Sequence, residues 1–299
     1  GEVIGPYEVV EEVGRGGMGE VYLAQRADQA YERQVAIKVI KAGMDTEAVL
    51  RRFEIERQAL ALMEHDGIAK VLDAGATDLG RPFFVMELVR GVPITDYCSK
   101  HSGSLRQCLE LFTRVCAAVQ HAHQKGVIHR DLTPRNIMVI EQGDVAAPKI
   151  IDFGLARATG HDLIDATVHT ELGSAHGTPP YMSPEQCGVG PADLDTRVDI
   201  YSLGVVLYEL LTGQRLFAGS SYDSADLYQK LRFIREEEPA RPSVAVARAT
   251  SKGSPRTAFD PKTRSRALRG DLDWIVLRAI EKDRGRRYSS ASALADDIG

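Results

Sequence analysis

Two carboxylates and an amide near the middle of the chain could do chemistry together. They are Asp131, Asn136 and Asp152, in His129-Arg130-Asp131-Leu132-Thr133-Pro134-Arg135-Asn136 and Asp152-Phe153-Gly154. A carboxylate can accept or orient the proton of an attacking hydroxyl. An amide oxygen and a second carboxylate are hard ligands suited to Mg²⁺. Such a set suits phosphoryl transfer, which needs positioning and charge neutralisation more than covalent help. Taken singly, each residue is as readily a turn residue or a helix cap. The joint pattern carries the reading.

Two further motifs supply what a phosphate-bearing ligand needs. In Val13-Gly14-Arg15-Gly16-Gly17-Met18-Gly19-Glu20-Val21, the glycines Gly14, Gly16 and Gly19 let a hairpin bring its N–H groups close to phosphates. A dinucleotide-binding loop would start a helix at its last glycine. Here Glu20 to Ala24 reads as a strand, which argues against the dinucleotide form. Lys38 sits in the apolar run Val35 to Ile40. A lone strand lysine usually faces solvent, so its meaning depends on the other motifs.

In this order, the motifs resemble those of the eukaryotic-type protein kinase family, in its bacterial serine/threonine branch, from about Tyr7 to Ile298. The resemblance implies an α+β, bilobal fold. Residues 1–87 would form a small β-rich N-lobe with one helix, and residues 88–299 a larger, mainly helical C-lobe. It also implies ATP and Mg²⁺ as cofactors. Val13, Gly14, Gly16, Gly19, Val21 and Ala36 would enclose the nucleotide, and Lys38 would hold its α- and β-phosphates. Lys38 would pair with a helix glutamate, Glu56 in preference to Glu54. Met86 would be the gatekeeper behind the adenine. The carbonyl of Glu87 and the backbone of Val89 would bond the adenine edge. Asp131 would be the catalytic carboxylate, with Asn136 and Asp152 as metal ligands. Thr178, in the docking segment Gly177 to Glu185, would bond Asp131. Arg130 would receive a regulatory phosphate, on Thr170 first, with Thr167 and Ser174 behind it. Asp199 would brace the catalytic loop from a buried helix, and Arg287 would pair with Glu185.

Thr133 departs from the family pattern, which places Lys two residues after the catalytic Asp. That lysine contacts the transferring phosphate, and losing such a contact slows a reaction by on the order of a hundredfold. Arg135 stands where many tyrosine kinases carry a catalytic-loop Arg. It is always charged and can fork onto phosphate, so it is expected to replace the lost cation. The docking segment lacks the basic, Trp-bearing tyrosine-kinase form, and serine/threonine specificity is retained. The alternative is a weakened or inactive nucleotide-binding scaffold with Thr133 as the reason. A small-molecule kinase of the same fold is a third reading, against which the docking segment argues.

The remaining chain sets bounds. A net charge of −5 offers no argument for nucleic acid or an anionic membrane as partner. The expected partners are protein substrates and, for trans-autophosphorylation, a second copy. Cys98, Cys108, Cys116 and Cys187 lack metal-type spacing and fit a reducing, cytoplasmic setting, including the cytoplasmic part of a larger membrane-anchored protein. His121 and His123 are two apart on an expected helix and diverge, which argues against a metal site. No apolar run is long enough to span a bilayer; Val205 to Leu211 is broken by Glu209 and is too short. Leu105, Leu109, Phe112, Cys116 and Val119 fall on one helical face. Another helix is expected from Gly270-Asp271-Leu272-Asp273-Trp274. Between them, 238–270 is poor in large apolar residues and reads as a long basic loop.

Overall fold

Val35, Ile37 and Val39 alternate along one strand, and this period of two sets the architecture of the N-terminal part. Their side chains are buried together with Ile4, Tyr7, Ala24, Phe83 and Val85 in a small outer core. The strand's other face turns Ala36 and Lys38 the opposite way. The computed structural model describes residues 2–16, 19–27, 34–40, 57–58, 60, 63–101, 104–143, 145–153, 179–188, 194–250 and 261–299. Within them, strands β1 (Val3–Ile4), β2 (Tyr7–Gly16), β3 (Gly19–Arg26), β4 (Gln34–Ile40), β5 (Val71–Ala76) and β6 (Pro82–Glu87) form one antiparallel sheet. Its order is β1-β2-β3-β4-β6-β5. The β2–β3 hairpin has a strand after Gly19 and no helix, as the sequence implied.

Beyond β6 the chain becomes mainly helical. A small sheet of β7 (Val92–Pro93), β8 (Ile137–Gln142) and β9 (Val145–Ile150) interrupts the helices. Helix α1 (Ile94–His101) leads into α2 (Leu105–Gln124), whose N-terminus is capped by Ser104 accepting from the Gln107 N–H at 3.1 Å. Helix α2 buries Cys108, Leu111, Phe112, Val115, Cys116, Ala118, Val119 and Ala122 at helical spacing. Helix α3 (Arg197–Thr212) is the central element, with every residue except Arg197 and Glu209 buried. It ends at Gly213, whose φ of 70° is a left-handed cap that glycine adopts without strain. The short α4 (Ser220–Asp223) and α5 (Leu227–Glu236) follow. Among the described residues, no helix is long and apolar enough to cross a membrane.

The expected long loop over 238–270 is corrected by the structure. It contains α6 (Pro242–Thr250) and α7 (Pro261–Leu268), while 251–260 lie outside the described residues. Small polar residues replace large apolar ones here because the packing is hydrogen-bonded. The buried Asp273 carboxylate accepts from the Ser243 N–H at 2.8 Å and its hydroxyl at 2.6 Å. The Ser265 hydroxyl donates to the Ser243 carbonyl at 2.9 Å. The Arg264 guanidinium donates to the carbonyls of Leu211 and Leu210, both at 2.7 Å, satisfying the end of α3. Asp273 belongs to α8 (Asp271–Ala279), the helix expected from its sequence, and α9 (Ala291–Ile298) closes the fold.

Helices α3 and α8 approach closely at Gly204. A methyl group there would sit 2.7 Å from both the Ala279 Cβ and the Ile280 Cγ2. Gly204→Val is expected to lower stability by about 3 kcal/mol through overpacking. Urea unfolding followed by circular dichroism checks this.

Candidate active site

The two sheets and α3 converge on one cleft. Directly opposed residues of neighbouring strands share a face. Val21 is opposite Lys38, and Ala36 is opposite Met86. Ala36 and Lys38 are two apart on β4, so Val21, Ala36, Lys38 and Met86 share one face of the sheet. Gly14 is opposite Val21 and Gly16 opposite Gly19, which sets the glycine hairpin beside the same face. Val13 is exposed. Gly19 is required by the sheet itself, because a Cβ there would lie 2.1 Å from the Val39 carbonyl oxygen at a φ of 155°. Gly14 has open space where a Cβ would be.

Glu87 ends β6, and Val89 lies in the link between β6 and β7. The Glu87 N–H donates to the Lys70 carbonyl at 2.9 Å. Its carboxylate takes two bonds from Lys149 Nζ, each 2.7 Å, which tie the link to β9.

Asp152 follows β9 and faces Lys38. Lys38 is almost buried, and its Nζ donates to Asp152 Oδ2 at 3.1 Å. Glu56, the glutamate expected to pair with Lys38, lies outside the described residues. The Asn136 side-chain amide donates to the Asp131 carbonyl at 2.8 Å. That bond uses the NH₂ group and leaves the amide oxygen to face away. The Ile151 N–H donates to the Asn136 carbonyl at 2.9 Å, which brings Asn136 next to Asp152. Asn136, just before β8, and Asp152, just after β9, therefore offer hard oxygens next to one another. No cluster of three or more His, Cys, Asp or Glu able to hold a metal occurs among the described residues. A small donor set of this kind fits Mg²⁺, which keeps waters and binds substrate phosphates.

Among the described residues, only Arg130 and Asp152 are non-glycine residues with positive φ, at 67° and 63°. Each such conformation costs about 1–3 kcal/mol and persists only where the surroundings impose it. The two flank Asp131 and the metal-type residues. For Arg130 the constraint is Asp199. Its carboxylate, fully buried on α3, accepts from the N–H groups of His129 and Arg130 at 2.8 Å each. His123 Nε2 lies 2.7 Å from the same carboxylate. Burial alone would push the Asp199 pKa up. The hydrogen bond and charge of His123, with His129, outweigh burial and hold the carboxyl below its usual range.

Sequence reasoning missed three contributors. His123, weighed only as a metal ligand, buttresses Asp199. The His129 ring touches the Ile151 carbonyl through Nε2 at 3.0 Å, accepts from the Asp131 N–H at 3.3 Å and packs on Phe153 at 4.7 Å. Gln186 donates to the Arg130 carbonyl at 2.8 Å, linking the end of the docking segment to the catalytic loop. Apart from the Asp131 N–H, two residues from His129, these partners are 22 to 76 residues away in sequence, so no local pattern marks the contacts.

Arg287 and Glu185 pair as expected. The Arg287 guanidinium is fully buried and forks onto Glu185 at 2.6 and 2.7 Å. It also donates to the carbonyls of Glu281, Arg197 and Lys282 and lies over the Tyr201 ring. Thr133 is almost buried, and it lines the same cleft as the exposed Arg135. Thr167, Thr170, Ser174, Thr178 and Gly154 lie outside the described residues.

Asp199→Asn turns one acceptor into a donor aimed at N–H groups. It is expected to lower stability by about 3 kcal/mol. The folded pKa of Asp199 lies below its unfolded value. Its stabilisation is therefore present above the usual carboxylate range and is lost as pH falls through the folded value. Acid titration of unfolding free energy should show a shallower acid limb in Asp199→Asn than in the parent.

The protein kinase domain family matches residues 7–297. A protein of Streptomyces coelicolor named a probable serine/threonine-protein kinase is 36% identical over 301 residues, covering 98% of this chain and 39% of that protein. Serine/threonine-protein kinase PknB of Mycobacterium tuberculosis is 35% identical over 297 residues, covering 98% of this chain and 42% of PknB. The chain thus spans about two fifths of these curated relatives. The crystal structure of the Mycobacterium tuberculosis PknI kinase domain superposes with a TM-score of 0.67 at 26% identity, covering 100% of this chain and 97% of that one. With the family matched over nearly its whole length and the site residues assembled around Asp131, the chain belongs to the protein kinase domain family.

Proposed function

We propose that this domain is an ATP- and Mg²⁺-dependent protein serine/threonine kinase, divided into lobes at 87/88. One observation carries the reading: Lys38, Asp131, Asn136 and Asp152 are brought from three separate segments to one cleft by bonds that strain the backbone at its two flanks. Membership of the family implies use of ATP. Mg²⁺ held by Asn136 and Asp152 would neutralise phosphate oxygens. Asp131 orients the attacking hydroxyl of a substrate Ser or Thr. It takes that proton as the new O–P bond forms and the bond to the leaving diphosphate breaks. Lys38 fixes the α- and β-phosphates, and Val21, Ala36 and Met86 exclude water from the adenine side. Gly14, Gly16, Gly19 and the backbone of Glu87 and Val89 complete the nucleotide site. Glu56, Thr178 and the Arg130–Thr170 switch, with Thr167 and Ser174 as alternative phosphosites, keep the roles the family resemblance implies.

Thr133 leaves a cation nearby, because Arg135 lines the open cleft next to it, two residues further along the catalytic loop. This favours an active enzyme over a scaffold. The four cysteines are free and buried, which suits a reducing, cytoplasmic compartment. The substrates are proteins, a second copy of the chain included.

Incubation with ATP and Mg²⁺, followed by phosphosite mapping by mass spectrometry, tests the reading. Phosphate is expected on Thr170 or its neighbours and should be absent in Asp131→Asn. An unphosphorylated parent that still binds ATP would instead establish a scaffold. A second prediction concerns the missing lysine. Thr133→Lys should change kcat by less than about threefold if Arg135 already supplies the charge, whereas Arg135→Ala should lower kcat about a hundredfold. A large gain in Thr133→Lys would overturn compensation by Arg135.

A further inference from the structure

An open cleft of about 480 Å³ lies against the catalytic loop where Thr133 and Arg135 line it. Its other walls come from Pro179–Tyr181, the end of α3 and the α4–α5 region. Five charged side chains face it: Arg135, Glu209, Arg215, Asp223 and Lys230. The balance of these charges depends on which of them already have partners.

Asp223 and Arg215 neutralise each other, with Arg215 Nη2 at 3.3 Å from Asp223 Oδ1. Glu209, which interrupts the apolar surface of α3, accepts the Tyr181 hydroxyl at 2.5 Å. Burial pushes the Glu209 carboxyl up, against the Tyr181 bond and the Arg215 charge. Asp223 is thus charge-paired, whereas Glu209 is held by a neutral phenol in a setting that disfavours its charge. Two cations are not charge-paired among the described residues. Among the described residues, Arg135 has neither a hydrogen-bond partner nor an ion-pair partner. Lys230 rests 5.9 Å over the Tyr222 ring, a contact that leaves its three N–H donors available. Arg135 and Lys230 come from elements far apart in sequence, and the fold turns both into one cleft bordering the residue two after Asp131.

We propose that this cleft is a substrate subsite that takes an anionic side chain, a carboxylate or a phosphorylated residue, close to the phosphoacceptor hydroxyl. The inference rests on the kinase reading and names the class of protein substrate it prefers. A basic side chain is disfavoured because Arg135 and Lys230 outnumber the one carboxylate without an ion-pair partner among the described residues, Glu209, whose charged form burial disfavours. Arg135 forks onto two oxygens and sets the direction of the acidic group. Lys230 adds a mobile point charge. Both are partly solvated, so each contributes a modest preference, and together they give about tenfold.

The test uses the whole chain and a series of peptides with one acceptor Ser or Thr. Glu, phosphoserine, Ala or Lys is placed in turn at each position within about four residues of the acceptor, and kcat/KM is measured. At one position Glu or phosphoserine should exceed Ala by about tenfold, with Lys below Ala. Equal values for Glu and phosphoserine identify a carboxylate as sufficient, and a further tenfold for phosphoserine identifies a pre-phosphorylated substrate. In Lys230→Glu the ratio of the Glu to the Lys peptide should fall about a hundredfold. Arg135→Gln, read by the same ratio, should lower it as well. If the ratio is near one at every position, or unmoved in both variants, the subsite is wrong and the kinase reading stands. A preparation that phosphorylates neither any peptide nor itself overturns both.

Discussion

The carboxylate of Asp199 is the constraint on which the site depends. A buried carboxylate without partners would be prohibitively unfavourable. Here it accepts from two successive backbone N–H groups and faces His123, all within 2.8 Å. Those bonds hold the peptides of His129 and Arg130 in a conformation that places Arg130 in the left-handed region. The loop therefore turns sharply just before Asp131 and presents that residue at the cleft. Helix α3 can impose this because the rest of its surface is packed in the core, with Gly204 letting α8 lie against it. A rigid helix and a strained loop are two sides of one arrangement.

The same helix fixes the far side of the cleft. The Ser202 hydroxyl donates to the Tyr181 carbonyl at 2.9 Å, and Glu209 holds the Tyr181 hydroxyl. Gln186 reaches back to the Arg130 carbonyl, and Arg287 locks Glu185 to the carbonyl of Arg197 at the start of α3. The end of the docking segment and the catalytic loop are thus suspended from one element. Moving either one strains bonds to the other, so residues 179–181 are held in a fixed relation to Asp131.

Much of this was legible because the chemistry uses short motifs. Gly14, Gly16, Gly19, Lys38, Asp131 to Asn136, and Asp152 each carry a local pattern that matched strand, loop or helix positions in the structure. Asp199 and the Arg287–Glu185 pair were also readable, since their motifs are local even though their contacts are not. The failures have a common physical cause. The segment 238–270 lacks large apolar residues, so hydrophobic periodicity could not find α6 and α7. One signal was proline at the first helical position of α6, Pro242. His123 and Gln186 act through partners distant in sequence and carried no motif at all.

The exchange of a lysine for Thr133 is best understood through the cleft as a whole. A cation two residues after Asp131 and one four residues after it sit on the same wall, because the 3-10 turn Pro134–Asn136 folds the loop back on itself. Phosphoryl transfer needs positive potential near the transferring group and is indifferent to which side chain provides it. Moving the charge to Arg135 has a second effect. Thr133 is buried and small, whereas the exposed Arg135 lines the cleft shared with Lys230. On the proposed reading, one substitution pattern joins charge neutralisation at the reaction to charge recognition in the substrate. A lysine at position 133 with a neutral or acidic residue at 135 would separate the two.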